Sequence, residues 1–260
     1  MLANLARMPK SALTAALQRV EVSPVGAAVL RPTNRRKLDA YLSTHEVRKL
    51  HLGCGGRLLP DWLNSDFVVS LRKLFNQRLP LVQIDCTRRL DIPNDSFDYI
   101  YSEHMHEHLD YAAGSGLLRE VWRVLKPGGK VRIAVPDLDF YFRMFRTERS
   151  FEEYPTAFRD QIWQTNGLNG APLDKATFLN FLFKGSDHKY IYTRSALESQ
   201  VAAAGFIDTR VCEPGKSDTP ELRDLETNLA GRDGTSIDMH LSYTVAVEGT
   251  KPSSPTTLRD

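Results

Sequence analysis

The chain is poor in cysteine: three thiols in 260 residues, Cys54, Cys86 and Cys212, odd in number and far apart. That argues against a disulfide framework and fits a reducing, cytoplasmic compartment. With no C-x-x-C pair, a cysteine zinc site is also removed. No run of about 18 apolar residues occurs, so no membrane-spanning helix is expected. Charge of neither sign is in excess: 34 basic against 32 acidic side chains leave +2, which makes no electrostatic case for a nucleic-acid partner. No internal repeat is present. One absence is local. The first 20 residues hold Arg7, Lys10 and Arg19 but no acid, and Leu2, Leu5, Met8, Leu13 and Leu17 share a helical face. Residues 1–46 read as an N-terminal helical segment, packed on the domain, or else a transit peptide or membrane-surface helix. From Gly249 the chain (GTKPSSPTTLRD) is rich in Pro, Ser and Thr, and residues 249–260 read as a disordered tail.

What is there begins with Lys49-Leu-His-Leu-Gly-Cys-Gly-Gly56, a short apolar run that breaks into glycines. A strand ending so lets a ligand approach the backbone, or simply makes a tight turn. Further strands are predicted at Trp62–Asp66, Leu81–Asp85, Phe97–Ser102, Lys130–Val135, Phe206–Cys212 and Leu241–Glu248, after a first at Val47–Leu52. Helices are predicted over Asn34–Ser43, Ser70–Asn76, Ser115–Lys126 and Arg194–Ala204. Lys126-Pro-Gly-Gly129 stops the third, and Gly205 ends the fourth as its C′ glycine. Alternation of this kind implies a mostly parallel sheet with right-handed crossovers, and ligands bind such sheets at the carboxyl ends of the strands. Residues 137–190 break the alternation. They are rich in aromatics, from Phe140 and Tyr141 to Phe178 and Phe181, and read as a helical cap with a small core of its own.

The ends of successive strands carry suitable chemistry. Gly53 and Gly55 follow the first strand, Asp66 ends the second, and Asp85 ends the third, followed by Cys86. A carboxylate at the second strand end accepts the hydroxyls of a ribose. A carboxylate and a backbone N–H at the third suit an adenine.

Two longer stretches then resemble a family. Asp91-Ile-Pro-Asn-Asp-Ser-Phe-Asp-Tyr-Ile-Tyr-Ser-Glu-His104 is similar to the fourth-strand region of class I S-adenosylmethionine-dependent methyltransferases. Leu118-Arg-Glu-Val-Trp-Arg-Val-Leu-Lys-Pro-Gly-Gly-Lys-Val-Arg132 is similar to their following helix and fifth strand. The subgroup it most resembles is the small bacterial enzymes found with surface-polysaccharide genes. The resemblance implies a Rossmann-like, doubly wound, seven-stranded sheet with a helical cap insertion, spanning 47–248, and S-adenosyl-L-methionine as cofactor. It implies Gly53, Cys54 and Gly55 beside the methionine part, Asp66 at the ribose, Asp85 and Cys86 at the adenine, and Ser102 and Glu103 beside the sulfonium. It implies methyl transfer to an oxygen or nitrogen of a small molecule or sugar. Three features depart from the pattern: His51 stands where an acid is usual, Arg57 where a third glycine is, and only ten residues separate Gly55 from Asp66. A non-catalytic subunit that keeps the fold is the rival reading, favoured by His51 and Arg57. Another group transfer on the same cofactor is a second rival.

Glu103-His-Met-His-Glu-His108 follows the fourth strand. As a helix it puts His104 and His108 one turn apart, with Glu107 beside them. Three readings are open: His104 or His108 as general base for an acceptor hydroxyl, a divalent metal on His104, Glu107 and His108, or a structural brace. His188 completes either site or is a turn residue. Arg57, Lys184 and Lys189 face an anionic acceptor or water.

Overall fold

The computed structural model describes residues 24–69, 71–74, 76–146, 174–184, 187–226, 241 and 243–253. The expected helix in the first 20 residues, the aromatics Phe151, Tyr154, Phe158 and Trp163, and most of the C-terminal tail lie outside these. Seven strands form one sheet: β1 Lys49–Leu52, β2 Leu63–Asp66, β3 Leu81–Gln83, β4 Phe97–Glu103, β5 Leu125–Pro136, β6 Ile207–Cys212 and β7 Thr244–Thr250. Their order is β3-β2-β1-β4-β5-β7-β6, parallel except for β7, which runs antiparallel to both neighbours. Described helices are α1 Pro24–Thr44, α2 Leu71–Leu74, α3 Tyr111–Val124, α4 Leu138–Arg146, α5 Lys175–Lys184 and α6 Arg194–Ala203. The order reverses direction between β1 and β4. That is the topological switch point, where a crevice opens at the carboxyl ends of the strands.

The central strands are apolar on both faces, as a sheet covered by helices requires. Leu50, Leu52, Ile100, Val131, Ile133 and Val247 are all fully buried. α3 adds Leu117, Leu118, Val121 and Val124 on one face. α1 is longer than the predicted Asn34–Ser43 and continues through Pro32. Its Asn34 side chain pairs with both the N–H and the carbonyl of Gln83, at 3.0 Å each, on the outer edge of β3. Its Lys37 ammonium donates to the carbonyls of Asn76, Leu79 and Leu81. The helix thereby closes an edge that would otherwise offer free backbone groups.

The boundary between α3 and β5 and the start of α3 also differ from the prediction. α3 begins at Tyr111 rather than Ser115, because Asp110 caps it by accepting from Ala113 N–H at 2.8 Å. Lys126-Pro-Gly-Gly129 ends that helix but belongs to β5. The partner of Phe97 is Leu125 and that of Tyr99 is Lys130, so the four residues between bulge out of the ladder. Gly128 takes φ +79°, and a Cβ on Gly129 would lie 2.8 Å from the Lys126 carbonyl. The bulge is held by the chain's far end. Gly128 N–H donates to Lys251 O and Lys251 N–H to Gly129 O. The buried Lys251 ammonium donates to Leu125 O at 2.7 Å and to Asp95 at 2.6 Å, over the Trp122 ring. β7 runs to Thr250 and Lys251 is anchored, so Gly249, Thr250 and Lys251 belong to the sheet and not to the predicted disordered tail.

α6 ends as predicted, with Gly205 at φ +98° and its carbonyl accepting from Trp122 Nε1. Its start is capped by Thr193. On β5, Arg132 is fully buried between Glu226 (2.6 and 3.0 Å) and Glu248 (2.7 Å), and donates to the carbonyls of Glu213 and Lys216. No described helix is long and apolar enough to cross a membrane.

Candidate active site

Parallel pairing sets the ends of β1, β2, β3 and β4 along one edge of the sheet. Every residue expected to hold the cofactor falls there. Gly53 and Gly55 both adopt left-handed φ, +69° and +54°, which favours glycine at these turns. Cys54 N–H donates to Ser65 O across the strand ends. Asp66 at the end of β2 accepts from Gly55 N–H at 2.6 Å and from Val68 N–H at 3.1 Å, which ties it to the glycine loop. Each carboxylate oxygen keeps a further lone pair for a ligand hydroxyl. Asp85 lies beyond the end of β3, and accepts from the N–H and hydroxyl of Thr87. It borders a cavity of about 970 Å³ between α1 and the ends of β2 and β3, lined also by Phe67, Gln83, Arg31 and Arg88. Of the eight residues expected at the cofactor, only Asp85 reaches that cavity, so it extends beside the crevice rather than over it. Burial pushes the thiols of Cys54 and Cys86 up to about 12, so neither serves as a thiolate near neutral pH.

The space above Gly53 is taken by Met105: a Cβ there would lie 2.3 Å from Met105 Cγ. This glycine is required by a neighbouring side chain. A ligand seated on it displaces an unbranched methionine, which adapts readily. Ser102 Oγ is buried at the end of β4 with no hydrogen-bond partner among the described residues. An orphaned hydroxyl at that point, an acid on β2 and two left-handed glycines fit a nucleoside-type cofactor.

His51 and Arg57, the two departures, have structural work. His51 Nδ1 donates to Asn64 Oδ1 at 3.1 Å, and Asn64 in turn holds the main chain of Leu59 and Trp62. Burial lowers the imidazole to about 4, so it is neutral. That network stabilises the helix-free connection between β1 and β2, which the short spacing made necessary. Arg57 points inward, to Leu225 O and to Glu103 at 3.6 Å, rather than toward an anionic acceptor. Lys184 and Lys189 are exposed.

Beyond β4 the chain does not form the expected α-helix. His104 is left-handed (φ +49°), and only His106–His108 forms a single 3-10 turn. The cluster assembles nonetheless. Glu107 is fully buried, with His104 Nδ1 at 3.4 Å and His188 Nε2 at 3.8 Å from Oε1. Apart from the long contacts with His104 and His188, neither Glu107 oxygen meets a hydrogen-bond partner among the described residues. Burial works against its charge, but His104, His188 and His108 outweigh that and hold its carboxyl below the usual range. His108 lies against His188, ring centroids 5.0 Å apart. His104 Nε2 meets Thr244 Oγ1 at 3.1 Å, and Tyr243 packs on its edge. Tyr243 packs on the aromatic cluster of Tyr141, Phe178 and Phe181 on α4 and α5, whereas Phe142 and Phe183 are exposed.

The structural brace exists, but in the main chain. Glu107 O accepts from Lys189 and Tyr190 N–H at 2.8 and 3.1 Å, which brings His188 to the turn across 81 residues. His106 is a packing residue. Its Nε2 donates to Gln200 Oε1 at 2.9 Å, and Gly114 lets α3 pass over it. Lys251, Gln200 and Asn34 were not singled out in the sequence, because each acts on a distant carbonyl or amide that no local pattern shows.

Residues 50–133 match a protein-family model described as a methyltransferase domain. Among curated proteins nothing matches. Solved structures similar to the chain include a methyltransferase from Thermotoga maritima, described as a possible histamine N-methyltransferase (16% identity, 86% of this chain and 92% of that one, TM-score 0.45). Another is an S-adenosylmethionine-dependent methyltransferase from Mesorhizobium loti (18%, 84% and 97%, TM-score 0.47). A third is phosphoethanolamine N-methyltransferase 2 of Haemonchus contortus (17%, 94% and 58%, TM-score 0.42). The domain match lies over β1 to β5 with the switch point at its centre, so this part of the chain carries a methyltransferase domain.

Proposed function

We propose that the chain transfers the methyl group of S-adenosylmethionine to an oxygen or nitrogen of a small molecule or sugar, in the cytoplasm. The observation that carries this is the convergence, at one sheet edge, of the Gly53–Gly55 loop, Asp66 and the histidine cluster after β4. In this reading Asp66 holds the ribose. Gly53, Cys54 and Gly55 line the methionine part, Asp85 and Cys86 the adenine, and Ser102 and Glu103 the sulfonium end. The cofactor supplies an electrophilic methyl on a good leaving group, so the protein has to align the acceptor, keep the site dry and remove one proton. His104 and His108 handle that proton. His104 is oriented from both sides, by Thr244 and Glu107, while His108 is half-buried and faces the cluster. A small-molecule acceptor suits the aromatic wall beside His104. The three free cysteines support a reducing location.

Calorimetry tests the cofactor assignment. The protein binds S-adenosylmethionine, and Asp66→Ala weakens binding by about tenfold or more, equivalent to about 1.4 kcal/mol. No binding at high micromolar concentration would falsify the reading. Unchanged affinity in Asp66→Ala tells against the β2 assignment. Incubation with candidate acceptor pools should give a mass increase of one methyl that requires the cofactor.

A further inference from the structure

We propose that Glu107, His108 and His188 form a binding site for one divalent transition-metal ion, with His104 as a positioning residue behind Glu107. One ligand atom from each of the three lies within 4.8 Å of the others. Bound donors sit about 2.0–2.2 Å from such an ion, hence roughly 3.3 Å from each other, so the set closes by at most about 1.5 Å on loading. Side-chain rotation of His108 and His188 covers that.

The second observation is the state of Glu107. It is fully buried, and beyond the long contacts of His104 and His188 with Oε1 its oxygens have no hydrogen-bond partner among the described residues. A buried carboxylate in that condition is costly, since folding has removed its water and returned nothing of equal strength. Imidazoles at 3.4 and 3.8 Å are a loose arrangement for a purely structural ion pair. A cation supplies the missing partner for the carboxylate and accepts the imidazole lone pairs. Four of the seven histidines lie on this turn or against it; His106 is committed to Gln200 and His104 Nε2 to Thr244, which leaves His108 and His188 facing Glu107.

The donor set selects the ion. Two imidazole nitrogens and one carboxylate oxygen suit Zn²⁺, Co²⁺, Fe²⁺ or Mn²⁺, whereas Ca²⁺ and Mg²⁺ favour oxygen alone. Three protein ligands leave positions open, which is the pattern of a site that takes an exogenous ligand. The contact of His104 with Thr244 on one side and Glu107 on the other is the kind of outer-shell support that orients a ligating carboxylate. Two elements far apart in sequence supply the ligands, and the hydrogen bonds from Lys189 and Tyr190 to Glu107 O hold them in register without any ion. Any part of the ion in methyl transfer rests on the reading above. There it lowers the acceptor's pKa, a task otherwise left to a free His108. Occupancy of the site does not depend on that reading.

The test is titration of tag-free, chelator-treated protein with Co²⁺, followed by visible absorption and calorimetry. One equivalent is expected, with a ligand-field band from the mixed nitrogen and oxygen donors. Glu107→Gln and His188→Ala should each weaken binding by about tenfold or more. If the buried Glu107→Gln variant fails to fold, the half-buried His108→Ala variant replaces it. Absence of Co²⁺ uptake by the folded wild type at large excess overturns the proposal, as does full affinity in the folded variants. Titration of the same samples with S-adenosylmethionine separates the two readings. Cofactor binding without metal binding removes only the metal site, and the reverse removes only the methyl-transfer reading.

Discussion

Gly53 and Met105 share one space, and this makes the glycine testable without any ligand. Gly53→Ala places a Cβ where Met105 Cγ sits and forces φ +69° on an L-residue. The backbone part alone is about 1–2 kcal/mol, and the clash adds to it unless the methionine moves. The expected outcome is a loss of about 2–4 kcal/mol in urea unfolding. Met105→Ala in the same chain should recover the clash part and leave the φ strain. Full recovery in the double variant would mean that the left-handed conformation is not held, and no recovery that Met105 does not pack there. At this scale the sequence made Gly53, Gly55 and Asp66 visible, because turn glycines and a strand-end acid are local signals. Met105 was invisible: its contact comes from the next strand but two, across the switch point.

The stretch from Leu118 to Arg132 is the most distinctive in the sequence, and much of its character comes from a clamp on a loop. Arg123 on α3 donates to the carbonyls of Leu90 and Ile92 and to Asn94 Oδ1. Glu120, paired with Arg123 at 2.6 Å, accepts from Leu90 N–H at 2.9 Å. Two side chains one turn apart thus fasten the segment that leads into β4. The hydrogen bond from Arg123, helped by that from Leu90 N–H and by the Arg123 charge, outweighs the opposing effect of burial and holds the Glu120 carboxyl below its usual value. A depressed folded-state pKa gives stability that is fully present above the unfolded value, near 4.5, and is lost as pH falls through the lower folded one. Arg123→Ala should therefore destabilise by about 1–3 kcal/mol at neutral pH. It should also flatten the fall in stability below about pH 4.5, because the Glu120 share of that fall is gone. Equal acid slopes in wild type and variant would show that the clamp is not linked to protonation. The helix itself was legible from its apolar spacing. Its start was not, since Asp110 caps it ahead of the glycines that disguise the first turn. The bulge at Lys126-Pro-Gly-Gly129 read as a stop signal because its true partner, Lys251, comes 122 residues after Gly129.

Across the whole molecule, strands β1 to β5 were readable in order because strand and helix alternate locally and parallel crossovers have one hand. The position of β7, antiparallel between β5 and β6, was not, since it depends on pairing between segments more than a hundred residues apart. Arg132 is the residue that joins these halves. It sits on β5 and reaches Glu248 on β7, Glu226 and the carbonyls of Glu213 and Lys216 beyond β6. All three charged groups are 5% exposed or less. Arg132→Met keeps a long apolar stem in place but leaves Glu226 buried without its cation. Glu248 keeps Arg210 at 3.0 Å, so the unmatched charge is chiefly at Glu226. Breaking a buried pair from one side costs about 3–5 kcal/mol, and that is the expected drop in unfolding free energy. Adding Glu226→Leu removes the stranded carboxylate, although Gly215 N–H then loses its acceptor. The double variant should regain part of the loss, because apolar replacements of a whole buried pair are often neutral or better. Denaturant unfolding of the three proteins decides it. A single variant within 1 kcal/mol of wild type, or a double variant less stable than the single by the full cost of a second break, would show that Arg132 does not bind the carboxyl-terminal strands to the sheet through Glu226.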